Sequence, residues 1–75
     1  MTELLQKVEN GTVLLKYSHY RTGEPLSFKA TTKHNGKVLK NRPESNVYAF
    51  YDLGEQEWKS IYKNTITEFI EVGSL

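Results

Sequence analysis

The chain has 75 residues, which is enough for one small domain and too few for a second core. Apolar residues make up 37% and charged residues 25%, a mix able to fold, and a net charge of +1 singles out no partner. The absence of cysteine excludes a disulfide scaffold, a thiol nucleophile and thiolate metal sites.

Residues 1–11 read as a short helix with its cap. Thr2 suits the N-cap, and Glu3 suits the positive end of the helix dipole. Leu4, Leu5 and Val8 share one face at helical spacing. Asn10-Gly11 is expected to end the helix in a left-handed C-cap. So short a helix needs a sheet to dock on. Thr12–Tyr20 then reads as a strand, with Val13, Leu15 and Tyr17 on one face and Leu14, Lys16, Ser18 and Tyr20 on the other. Arg21–Pro25 is a turn. Leu26, Phe28 and Ala30 alternate with Ser27, Lys29 and Thr31 in a second strand, which completes a hairpin.

Residues 32–46 are the least regular part and read as a basic excursion loop between two core strands, mobile or ordered. It contains a hairpin turn at His34-Asn35-Gly36-Lys37 and loop segments at Arg42-Pro43 and Ser45-Asn46. Val47–Tyr51 is apolar on both faces, as a central strand would be. A turn over Asp52–Glu57 leads to a fourth strand, Trp58–Tyr62. Lys63-Asn64-Thr65 suits a single 3₁₀ turn, and Ile66–Val72 a fifth strand with room for a bulge. The expected fold is mainly β: a single domain, 1–75, forming a small five-stranded SH3-like or Sm-like barrel with a short N-terminal helix. Closure is expected because it removes exposed edges.

Val47-Tyr48-Ala49-Phe50-Tyr51-Asp52-Leu53, followed by Trp58-Lys59-Ser60-Ile61 and by Ile66 through Val72, resembles the WYL_2 family of small phage and bacterial proteins. The likeness takes in the early hairpin and covers about residues 12–72. Where the family pattern has Trp-Arg, this chain has Trp58-Lys59. The resemblance implies an Sm-like, SH3-type barrel and a phage-type origin, and it brings no catalytic residue. Relatives by fold, the WYL domains, are regarded as ligand or nucleic-acid sensors, but their Trp-Tyr-Leu tripeptide is absent here.

The residues offer little for catalysis. Asp52 beside Gly54 reads as a turn-capping carboxylate. Ser18 and His19 are adjacent on a strand and point to opposite faces, which argues against a Ser-His-acid triad. Glu55 and Glu57 would share a face if extended, and read as a solvated acidic surface. Two histidines without ligand spacing define no metal site, and Gly36-Lys37 lacks the rest of a phosphate loop. The Asn10-Gly11-Thr12 sequon reads as chance and helix capping. No enzyme activity, cofactor or metal is expected. No apolar run reaches the ~18–20 residues of a membrane span, and no apolar h-region follows Met1. The expectation is a cytoplasmic protein (host cytoplasm if phage-encoded) with no membrane partner.

Charge placement is the most informative feature. Lys29, Lys33, Lys37, Lys40 and Arg42 fall in a stretch without a single acid, whereas residues 43–75 carry two bases against six acids. Basic groups neutralise phosphates, and aromatics stack on unpaired bases. Lys29, Lys33, His34, Lys37, Lys40 and Arg42, assisted by Tyr20 and Arg21, are therefore the candidate nucleic-acid contacts. The bland alternative is a solvated loop whose lysines pair with the acidic C-terminal third. Tyr48, Tyr51, Trp58 and Tyr62 read as core and barrel-rim residues. Two functions stay open: a phage-type accessory or regulatory module that contacts nucleic acid, and a protein-interaction module that inhibits or redirects a host or phage protein. An oligomer is compatible with both.

Overall fold

The computed structural model describes residues 2–74. In chain order the elements are α1 (Thr2–Asn10), β1 (Gly11–Ser18), β2 (Pro25–Thr31), β3 (Lys33–His34), β4 (Lys37–Val38), β5 (Val47–Asp52), β6 (Glu57–Tyr62), a 3₁₀ turn (Lys63–Thr65) and β7 (Ile66–Ser74). Five strands form one antiparallel sheet in the order β6-β5-β2-β1-β7, and β3 and β4 form a separate small hairpin. None of the described helices is long and apolar enough to cross a membrane.

The alternation read from the sequence decides which side chains go inside. Val13 and Leu15 of β1, Phe28 and Ala30 of β2, Tyr48 and Phe50 of β5 and Ile61 of β6 make the core. Leu4, Leu5 and Val8 of α1 join the same cluster, so the helix is held by its apolar face. The sheet curls strongly. Two strands lie between β6 and β1 in the sheet order, yet Tyr62 on β6 meets Tyr20, just past β1, at 5.5 Å between ring centroids.

The expected closure is not made by hydrogen bonding, because β6 and β7 share no ladder and remain the two edges. The 3₁₀ turn joins them end to end and sends β7 to pair with β1 instead. Part of the inner face that closure would cover is buried by α1. β7 shows register shifts against β1 at Thr12/Val13 and at Lys16/Tyr17, so the anticipated bulge occurs twice.

The helix ends differently from expectation. Neither Asn10 nor Gly11 has a positive φ, so no left-handed cap forms. Asn10 Nδ2 instead donates to the Gln6 carbonyl at 2.9 Å, and Gly11 starts β1 directly. The Val8 carbonyl accepts from Thr31 Oγ1 and from the Thr32 N–H, which ties the end of α1 to the end of β2. The Thr2 cap lies outside the described side chains. A second difference concerns β1, which ends at Ser18 and leaves His19 and Tyr20 in the turn. There the Gly23 N–H donates to the His19 carbonyl.

The 32–46 excursion is pinned at several points. β2 pairs with β5 through only Ala30–Asp52 and Thr31–Tyr51. Beyond that point Asn41 takes the place of a strand: its Nδ2 donates to the Ala49 carbonyl at 3.0 Å, and its Oδ1 accepts the Ala49 N–H at 2.9 Å. Tyr48 Oη and Lys63 Nζ both donate to the Pro43 carbonyl. Asn41→Ala is expected to leave both backbone groups of Ala49 without partners, at a cost of about 1–3 kcal/mol. Hydrogen exchange at the Ala49 amide, faster in the variant than in the parent, is the measurement that checks this.

Candidate functional site

β6 carries Trp58, Ser60 and Tyr62 on one face and Lys59 and Ile61 on the other. Ile61 is buried, whereas Trp58 is 45% and Tyr62 48% exposed. β6 is also an edge. The Lys63 N–H donates to the Asn46 carbonyl, and the same register runs on through Tyr48–Ile61 and Phe50–Lys59. Alternate residues of an antiparallel strand bond to opposite neighbours. The backbone groups of Ile61 and Lys59 therefore face β5, and those of Trp58, Ser60 and Tyr62 face outward.

An aromatic group stands at each end of this strip. At the Trp58 end, His34 stacks on Tyr51 with centroids 3.8 Å apart. Trp58 meets Tyr51 at 5.5 Å and His34 at 6.4 Å, edge-on to both. This stack holds the β3–β4 hairpin against the main sheet and brings Lys37 to the depression that the indole lines. His34, Lys37, Val38, Leu39 and Trp58 line a depression of about 410 Å³. At the Tyr62 end, Tyr20 is 58% exposed and stacks on His19 at 5.1 Å. The Arg21 guanidinium lies 5.3 Å from the Tyr20 ring centroid.

The structure divides the basic run that looked continuous in sequence. His34 and Lys37 reach Trp58 through the hairpin, and Lys33 is an exposed residue of the same hairpin. Lys29 is exposed on β2, on the outer face that Tyr51 shares by register. Lys40 and Arg42 flank Asn41, which holds them along the β5 edge that faces away from β6. Tyr20 and Arg21 join the far end of the strip instead of flanking the basic loop. The physical reason is the curl, which carries the β1–β2 turn to β6, while Asn41 keeps its two neighbours on the opposite side of β5.

The ion pairs also depart from the bland reading. Among the described residues they are Lys7–Glu71, Lys16–Glu68 and Lys59–Asp52, and none of Lys29, Lys33, Lys37, Lys40 or Arg42 takes part. Lys59 is the one basic residue of β6, and its charge is engaged by Asp52 at 2.7 Å.

The polar groups weighed for catalysis have structural partners. Asp52 Oδ1 accepts the N–H groups of Gly54 and Glu55, the turn cap expected of it. His19 Nδ1 accepts the N–H of Arg21 at 3.1 Å and of Thr22 at 3.4 Å, which leaves Nε2 to carry the ring proton. Glu55 lies in the β5–β6 turn, so it shares no strand face with Glu57. Among the described residues no three His, Asp or Glu side chains converge as a metal-ligand set.

Of the residues read as core or rim, Trp58 and Tyr62 are half-exposed on the β6 edge and lie outside the core. The signal was present in the alternation of Trp58-Lys59-Ser60-Ile61-Tyr62, which cannot bury both faces of an edge strand. No family model, curated protein or solved structure matches the chain.

Proposed function

We propose that the protein is a non-enzymatic nucleic-acid-binding module of SH3-like or Sm-like type, serving as a phage-type accessory or regulatory protein. The strand order, with a helix before it and a 3₁₀ turn ahead of the last strand, agrees with that class, as does the WYL_2 resemblance. One observation carries the functional reading. The half-exposed Trp58 ring is held edge-on by Tyr51 and His34, and Lys37 beside it and Lys33 on the same hairpin have no acidic partner among the described residues. An aromatic face beside unpaired amines suits a base and its phosphate.

The test is fluorescence anisotropy with labelled single-stranded DNA, duplex DNA and RNA, at low and at physiological salt. Binding is expected to weaken as salt rises. Lys33→Gln combined with Lys37→Gln is expected to weaken it further and to flatten the log–log salt slope by about 1.4 for a single strand. No binding of any of the three at low salt overturns the reading. The open β6 edge favours a second reading, in which a partner protein adds a strand there. That contact would depend little on salt.

A further inference from the structure

Between the end of β1 and the outward edge of β6 lies a cleft of about 280 Å³. Its walls include Tyr17, His19, Tyr20, Ser60, Tyr62 and Thr65. It is slightly smaller than the roughly 300–1,000 Å³ of sites that hold drug-sized molecules. Aromatic rings form much of the wall, and Tyr20 meets Tyr62 at 63° between ring planes. Ser60 adds a hydroxyl from β6. His19 adds a ring whose donor is fixed at Nε2, because Nδ1 is occupied by the turn. Arg21, beside Tyr20, supplies a cation at the rim.

We propose that this cleft is a subsite for one unpaired nucleobase, so that the ligand is a single strand laid along β6 from Trp58 to Tyr62. The inference rests on the nucleic-acid reading above and goes beyond it in naming the strand type and the second base site. Access to ring faces argues for a single strand. Trp58 and Tyr62 are four residues apart on one strand, about 13 Å at 3.3 Å per residue. Stacked bases follow one another every ~3.4 Å. Bases held at both ends of the strip are therefore about four stacking steps apart, and a ring of the strip stacks on one only where that base has left its neighbours. A duplex keeps its bases paired and stacked and offers neither end a free ring face. The chemistry of the cleft suits a base as well. Rings accept its faces, while the Ser60 hydroxyl and the His19 donor answer the polar atoms on its edge.

The test uses labelled oligothymidylate, the same strand annealed to its complement, and a strand of equal length with abasic sites, all at one low salt concentration. Single strand is expected to bind roughly tenfold tighter than duplex, about the value of one stacked base. The abasic strand should lose that advantage. Tyr62→Ala is expected to cost roughly tenfold on the single strand and to leave the salt slope unchanged. Ser60→Leu fills the cleft without altering charge and should have the same effect, with circular dichroism reporting that both variants keep their sheet. Equal affinity for single strand and duplex, or normal single-strand binding by both variants, overturns the subsite and leaves the nucleic-acid reading standing. Failure of every strand to bind overturns both.

Discussion

Asp52→Ala is expected to destabilise the protein by about 3 kcal/mol, the lower end of what breaking a buried ion pair costs. A domain of 75 residues has roughly 4–11 kcal/mol in total. Asp52 is 2% exposed, and both carboxylate oxygens are used. Oδ1 accepts from Gly54 and Glu55, and Oδ2 pairs with Lys59 Nζ at 2.7 Å. Removing the carboxylate uncaps the β5–β6 turn and strands Lys59, whose ammonium also lies 5.1 Å from the Phe28 ring centroid. Lys59 keeps a side-chain exposure of 28%, so water takes up part of the loss.

The same pair sets a pH dependence. Burial pushes the Asp52 carboxyl up, but hydrogen bonds from Lys59, Glu55 and Gly54, with the Lys59 charge, outweigh it and hold it below the ordinary carboxylate value. Its contribution is therefore present above the unfolded value of about 3.9 and is lost as pH falls through the lower folded value. The Asp52 hydrogen bond raises Lys59 against the opposing effect of burial. That contribution is present below about 10.4 and is lost as pH rises through the folded value. Urea midpoints across pH should fall at both ends in the parent protein. In Asp52→Asn, which keeps the turn acceptor without the charge, both limbs should flatten. Identical pH profiles would remove the pair from the account.

Trp58→Ala is expected to weaken single-strand binding by about 1–3 kcal/mol, roughly tenfold to a hundredfold. Stability should change little, because the ring is 45% exposed and outside the buried core. Trp58→Phe should recover much of the affinity, since a phenyl ring still offers a face for stacking. The indole contact with Tyr51 and His34 also positions the β3–β4 hairpin, so part of the loss in Trp58→Ala comes from Lys33 and Lys37 moving away. Combining Trp58→Ala with Lys33→Gln and Lys37→Gln separates the two contributions. If the lysines act through the indole's positioning, the losses are less than additive. An unchanged affinity in Trp58→Ala would exclude this end of the strip as a contact.

Much of the local structure was legible in the sequence. Leu4, Leu5 and Val8 marked the helix face, and alternation from Val13 to Tyr17 and from Leu26 to Ala30 marked the first hairpin. Asn35-Gly36 marked the β3–β4 turn, where both residues take positive φ. In the β5–β6 turn the positive φ falls on Gln56. Gly54 is there to donate its N–H to Asp52, and a side chain built on it would sit 3.3 Å from the Asp52 carboxylate.

Which side chains point together on each strand, where the helix sits in the chain and which carboxylate caps a turn can all be read along the chain. These are properties of a few consecutive residues, set by a period of two or of 3.6. Strand pairing in three dimensions divides the basic run around β5 and makes Asn41 stand in for a strand. It also puts Trp58 and Tyr62 on an unpaired edge, with Tyr20 and Arg21 brought to one end of it. Those outcomes depend on which strands become neighbours and how far the sheet curls. Such pairings join residues as distant as Tyr20 and Tyr62, and alternation along one strand carries no record of what lies beside it.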